Sequence, residues 1–255
     1  MNLEQFSTEF DIAYNNVTSN ASPPLNNFEK SVFLTRAQND LVMIYYNGLN
    51  GRYTSFETSE ECRRYLDSLV VHEQSLELKE RRDIEGYKMF VYDKPSVIRE
   101  YIDSVGDKHS SSFDLMLFIV RESAKKRVTD GCEANGYLAV RPVSYNDLTH
   151  CLKDPFKRPG KGKALRVDNA MGIGIISSED ITDYLCTYIQ KPHPIILESL
   201  VEYGLNIEGC QKPLEPACGL PDVLHQKIVD RAVMLAKAAY VGEFNTQSTL
   251  SVQTL

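Results

Sequence analysis

The spacing of apolar residues changes twice along this chain, and that change limits the folds open to it more than any single motif. Between Asn26 and Gly48, apolar residues recur at Leu34, Ala37, Leu41 and Ile44, three and four apart, which is the stripe of a helix with one buried face. Asn26 with Glu29 supplies a capping-box start, and Gly48 a C-cap. A shorter helix is expected over residues 3 to 17, broken by an extended linker at Ser19 to Asn27 that holds Pro23-Pro24, and a third from Thr58, with Glu61 three residues on, through Tyr65 and Leu69. From about Val70 the period shifts: Leu76 and Leu78 alternate with polar residues, and Tyr87 to Tyr92 is rich in aromatic and β-branched types, as strands are. The helical period returns from Pro221, placed at N1, with the stripe Leu224, Ile228, Leu235 and Ala239 closed by Gly242.

Between these ends the chain reads mainly as strand. Leu115 to Val120, Tyr137 to Val140, Ala164 to Val167 and Ile181 to Ile189 are short apolar runs bounded by turn residues. Two helices interrupt them: one from Pro95 through Val97, Tyr101 and Val105 to Gly106, and one from Ser144 or Asn146 through Leu148 and Leu152 to Pro155. The fold class is therefore α+β, a mainly antiparallel β-sheet core flanked by N-terminal helices and a C-terminal helix. Three segments follow: helical residues 1–70, a β-rich 71–220, and the C-terminal helix with its tail, 221–255.

Composition excludes several function classes. The 28 Lys and Arg stand against 35 Asp and Glu, and a net charge of −7 repels nucleic acid over most of the surface. Such a charge is compatible with a channel along which DNA slides. The six cysteines carry no CxxC pairs, which argues against a zinc ribbon and points to free thiols; no run is long and apolar enough to span a membrane, and neither a leader nor a cofactor is expected.

Isolated pairs of reactive residues do not build a catalytic site. Asp222 and His225 lie one helical turn apart, but two polar residues on an amphipathic helix are commonplace. His72-Glu73 lacks the second histidine of a zinc protease, and Ser123 to Lys126 matches SxxK without its companion motifs. Cys210, Cys218, His193 and His225 fit no zinc spacing, and Gly172-Ile173-Gly174 reads as a tight turn rather than a dinucleotide fingerprint. The one basic cluster, Lys157, Arg158, Lys161 and Lys163, has two readings: a solvated or ion-pairing loop, or a loop facing DNA phosphates.

A resemblance rests on particular stretches: Glu29-Lys30-Ser31-Val32-Phe33-Leu34-Thr35-Arg36-Ala37-Gln38, Pro142 to Asp147, Asp154 to Pro159, Lys191-Pro192-His193-Pro194-Ile195-Ile196-Leu197, and Cys218 to Pro221 leading into the last helix. Together they resemble the neck and tail-barrel ring proteins of crAss-like podophages. The resemblance implies a non-enzymatic virion protein, made in host cytoplasm, that forms a twelvefold ring between portal protein and adjacent tail-barrel rings and extends the DNA channel. It implies assembly contacts through the termini, with Leu224, Ile228, Leu235, Ala239 and Phe244 as candidates; of the two readings of the basic loop the solvated or ion-pairing one is favoured, and the other would give transient contact with packaged DNA. A minor head protein and a phage enzyme acting on nucleic acid are the competing readings.

Overall fold

A computed structural model describes residues 1–17, 24–49, 54–127, 136–169 and 172–241 of the chain. The elements run α1 (Leu3–Val17), α2 (Asn27–Asn47), α3 (Glu60–Leu66), β1 (Val70–Leu76), β2 (Leu78–Ile84), β3 (Tyr87–Tyr92), β4 (Ser96–Ile102), β5 (Lys108–Asp114), β6 (Met116–Lys126), β7 (Tyr137–Pro142), α4 (Tyr145–Lys153), β8 (Lys163–Asn169), β9 (Gly172–Ser177), β10 (Ile181–Gln190) and α5 (His225–Val241). They form two units. One comprises Met1–Leu69, Ile98–Phe113 and Lys191–Leu255; the other comprises Val70–Val97 and Asp114–Gln190. Residues 98–113 and 191–220, within the segment read as β-rich, thus belong with the helices.

The helical unit is built on α2. Asn26 accepts from the Glu29 amide while the Glu29 carboxylate accepts from the Asn26 amide, and the Gly48 amide closes the far end on the Ile44 carbonyl. The expected stripe Leu34, Ala37, Leu41 and Ile44 is buried, with Ile228, Val229, Ala232 and Ala236 of α5 and Phe6 and Phe10 of α1 also in the core. Small residues on α5 let the helices approach closely.

A second buried stripe on α2 is polar. Ser31, Thr35 and Gln38 are almost fully enclosed, and each bonds the extended backbone of residues 193–197. The Leu197 amide donates to Ser31 Oγ at 3.0 Å, the Ile195 amide donates to Thr35 Oγ1 at 3.0 Å, and the Thr35 hydroxyl returns a bond to the Ile195 carbonyl at 3.3 Å. Gln38 Nε2 donates to the His193 carbonyl at 2.8 Å, while its Oε1 accepts from the Cys218 thiol at 2.9 Å. Three side chains at i, i+4 and i+7 therefore do for this segment what a neighbouring strand does in a sheet. Two charged residues of α2 are paired as well: Lys30 with Asp11 of α1 at 2.6 Å, and Asp40 with Arg231 of α5 at 3.2 Å.

The sheet unit holds eight strands in the order β1-β10-β6-β7-β8-β9-β3-β2, antiparallel throughout except between β7 and β8, where α4 makes the crossover. Strands β1 and β2 lie at opposite edges yet only Glu77 separates them in sequence, so the sheet curls until its two edges converge at that residue. Its inner face packs Phe90, Tyr92, Leu138, Ile173, Ile175 and Tyr184; on the outer face Leu165, Val167 and Ile176 lie under Cys151 and Leu152 of α4. Inside the curl, Arg166 pairs with Glu122 at 2.8 Å and the Tyr184 hydroxyl donates to the same carboxylate at 2.7 Å, tying β6 to β8 across β7. Burial pushes the Tyr184 hydroxyl far above its usual range, so it stays a donor at any working pH.

Several expectations are corrected. The stretch after Pro95 is strand β4, not a helix: Val97, Ile98, Tyr101 and Ile102 are β-branched or aromatic, and Gly106 turns the chain into β5. Gly172-Ile173-Gly174 opens strand β9, where a Cβ on Gly172 would stand 2.3 Å from the Tyr92 carbonyl oxygen at φ 148°. The cap of α3 is Ser59, whose side chain accepts from the Cys62 amide, while Thr58 is engaged in the preceding turn with Ser55. Pro221 leads into a 3-10 turn, Asp222–Leu224, rather than the first turn of α5 itself. Gly242 lies outside the described residues.

Removing one member of the polar stripe should cost far more than removing an exposed residue of the same helix. Thr35→Val keeps the shape but leaves the Ile195 amide and carbonyl unpaired, an expected loss of about 1–3 kcal/mol, checked by urea unfolding against Arg36→Ala on the exposed face, which should change stability by less than ~0.5 kcal/mol.

Candidate assembly surfaces

The basic cluster sits on the connection from α4 to β8. Asp154 opens it with its side chain accepting from the Phe156 amide at 2.9 Å and its carbonyl from the Arg158 amide at 2.9 Å. Paired backbone bonds between Gly160 and Lys163 close it, with Lys163 the first residue of β8. Lys157, Arg158, Lys161 and Lys163 are all exposed, and the Phe156 ring beside them is 89% exposed. Lys157 has Asp154 at 3.8 Å. A stiff two-turn loop thus presents cations around one aromatic ring, with a single acid among them.

The β4–β5 hairpin is a second prominent surface. Two strands alone are marginally stable in water, and this pair is clamped by the segment after Leu200. The Gln211 side chain accepts from the Ile102 amide at 2.9 Å and donates to the Ile102 carbonyl at 2.6 Å, and Arg99 donates to the Glu208 carbonyl at 2.7 Å under the Phe113 ring. Gly204, at φ 62°, lets the hairpin tip seat, since a Cβ there would lie 2.2 Å from the Ser104 amide nitrogen. At the tip Asp103 accepts from the Val105 and Asp107 amides and from His109, contacts that hold its carboxyl below the usual range, the His109 bond foremost. Val105 and Ile98 remain 82% and 70% exposed.

The C-terminal stripe, expected from the resemblance to carry assembly contacts, packs largely within its own chain. Leu224, Ile228 and Leu235 are buried within the helical unit, so their apolar surface is already used inside one chain; Ala239 is exposed, beside a groove of about 290 Å³ lined by Phe28, Val32 and Phe33. Phe244 lies outside the described residues. The stripe at i, i+4 and i+11 is apolar, as its spacing predicts, but period alone does not say whether the covering surface comes from the same chain.

The residues weighed for chemistry are placed in structural contacts. His225 is 5% exposed: its Nε2 bonds the Leu220 carbonyl at 3.0 Å and its Nδ1 faces the Met1 ammonium at 2.7 Å, with Asp222 at 3.2 Å. Burial first, then the Met1 charge, pushes its pKa down, against the raising effects of Leu220 and Asp222. His193 Nε2 bonds the Pro216 carbonyl, and the buried Cys218 thiol, raised to about 11 by desolvation, donates to Gln38. Among the described residues, no three His, Cys, Asp or Glu side chains gather as a metal site, and the described cysteines are free thiols. Cys132 falls outside the description. Ser123 and Lys126 share strand β6 at odd spacing and so face opposite sides of the sheet. A cleft of about 520 Å³ beside β6 is lined by Glu73, Arg121, Glu122, Tyr137, Cys186 and Thr187; its thiol is raised to about 12 by burial, so it offers no nucleophile.

Two outcomes test these placements. Because His225 titrates lower folded than unfolded, the unfolded chain binds the extra proton, and stability is lost as pH falls below about 6.5; His225→Gln should flatten that part of a thermal-melt pH profile. Gly204→Ala should free the hairpin, seen as rapid proteolysis between Ile98 and Phe113 while α2 stays intact.

The comparisons with known proteins extend over nearly the whole chain. Residues 1–248 match the family described as Phage tail ring protein 3/4. Among curated proteins, Ring protein 4/5 of Bacteroides phage crAss001 is 33% identical over 261 aligned positions, covering 98% of each chain, and Ring protein 3 of the same phage is 32% identical over 239, covering 92% of this chain and 95% of the relative. The polar stretch on α2, the extended segment it holds and α5 all fall within the matched residues, and on this footing the chain belongs to the phage tail ring protein 3/4 family.

Proposed function

We propose that this protein is a structural subunit of a phage virion, copies of which close head to tail into a ring between the portal and the tail, with the DNA channel running through it. The observation that carries this reading is likeness over 98% and 92% of the chain to two proteins named as rings. Its chemistry is association. A heterologous interface that closes gives a ring, and a ring stacked on a portal takes the portal's symmetry, here twelvefold. Neighbouring rings are the other partners, and the subunit is made in host cytoplasm before joining the particle.

The loop from Lys157 to Lys163 is the surface best suited to transient contact with DNA. Arg158, Lys161 and Lys163 are exposed and have no ion-pair partner among the described residues, on a chain whose net charge is −7. A local basic patch on an acidic wall touches phosphates without retaining the duplex. The segment 242–255 is proposed to serve contacts between subunits.

In purified virions, quantitative mass spectrometry should recover this chain and portal protein in a ratio near one. Trace recovery would remove the ring reading. Charge reversal at Lys161 and Lys163 should leave that ratio unchanged while slowing DNA ejection; an unchanged ejection rate would assign the loop to contacts between proteins.

A further inference from the structure

The two-stranded sheet of β4 and β5 has one side left open. Asp103 donates to the Asp107 carbonyl at 3.0 Å, so Asp103, and by strand alternation Tyr101 and Arg99, turn their backbone groups toward β5. Ile102, Glu100 and Ile98 turn theirs the other way. At Ile102 the Gln211 carboxamide imitates a partner strand, bonding both the amide and the carbonyl. Beyond it, at Glu100 and the exposed Ile98, no strand among the described residues pairs with β4, whose sheet there holds β4 and β5 alone. Alongside runs a groove of about 480 Å³, with Tyr101, Ile102, Val201, Cys210 and Leu214 as its apolar lining and Lys108 at its rim. An exposed edge next to an apolar groove is the arrangement to which an extended peptide adds as a strand, its backbone supplying affinity and its alternate side chains filling the groove.

We propose that this edge accepts residues 248–255 of a second copy of the chain. The inference rests on the ring reading and names one of its contacts. The sequence Ser248-Thr249-Leu250-Ser251-Val252-Gln253-Thr254-Leu255 has no Pro, Gly or charge, and Leu250 and Val252 alternate with polar residues as strand residues do. The other segments outside the description suit the role less well: 18–23 contains Pro23, 50–53 and 128–135 contain glycine, and all are short or polar. As a strand, eight residues span about 26 Å, and the six from Gly242 to Gln247 add up to ~20 Å of reach from the end of α5. A strand handed from one subunit to the next is a heterologous contact and so propagates around a ring.

The test uses the full chain and a fluorescent peptide of residues 244–255, at a dilution where the chain is monomeric by mass photometry. Saturable binding is expected, weakened about tenfold by Glu100→Pro, which deletes an outward amide while sparing the pairing with β5. A peptide N-methylated at alternate residues, which leaves the protein untouched, should lose affinity in one of its two phases and not the other. No binding, or binding indifferent to both changes, overturns the proposal. In a second readout, isotope-labelled Glu100→Cys chains are mixed with unlabelled Val252→Cys chains at assembling concentration. A mixed-label disulfide between the two positions is expected; its absence, or a double variant that crosslinks only within one chain, overturns transfer between copies. A portal-matched copy number in virions alongside either failure would leave the ring standing and remove only this contact.

Discussion

Residues 193–197 carry backbone donors and acceptors into the interior of the helical unit, where no strand among the described residues receives them; the side chains of Ser31, Thr35 and Gln38 do. An unpaired buried amide or carbonyl costs about as much as a lost hydrogen bond, and here such groups are satisfied from a helix face that would ordinarily be apolar. The consequence is positional. With 193–197 fixed along α2, Cys218 meets Gln38 and Leu200 bonds Gln211, and Gln211 in turn holds β4 at Ile102. The hairpin surface therefore depends on three polar residues that never reach solvent.

The curled sheet solves a different problem by a related device. Its edges meet because one residue joins β1 to β2, and a curled sheet must fill its concave side. Aliphatic and aromatic side chains fill most of it, and the pairing of Arg166 with Glu122 and Tyr184 occupies the rest. A buried ion pair of this kind contributes little net stability, but removing one partner strands the other, so it fixes which strands face each other rather than how tightly they bind. Both units thus use buried polar groups to choose one arrangement among several that apolar burial alone would allow.

Much of this was legible in the sequence wherever period and punctuation agreed. The capping box at Asn26 and Glu29, the stripe on α2, Ser144 before α4 and the strand runs at 87–92 and 181–189 all carry local signals that tertiary contacts do not override. What was not legible depended on partners distant in sequence. Pro95 signals a helix start, yet β-branched neighbours and the clamp from Gln211 make β4; Gly172 signals a turn, yet the nearby Tyr92 carbonyl makes it the only residue that fits a strand. The stretch from Glu29 to Gln38 and the segment from Lys191 to Leu197 stood out as motifs for a reason no spacing could reveal, because each is the other's hydrogen-bonding partner across more than 150 residues. The same limit applies to the surface: apolar period located Leu224, Ile228 and Leu235, and only the packing showed that one chain already covers them.

Amide hydrogen exchange on the full chain, read residue by residue, tests the role of the polar stripe most directly. Helix α2 supplies the internal standard, since its amides are protected by their own helical bonds. The account predicts that the Ile195 and Leu197 amides exchange as slowly as those of Leu34 and Leu41, through the same opening event, although they lie in no helix or sheet. Exchange of Ile195 and Leu197 at the rate of an unstructured peptide, with α2 still protected, would contradict it.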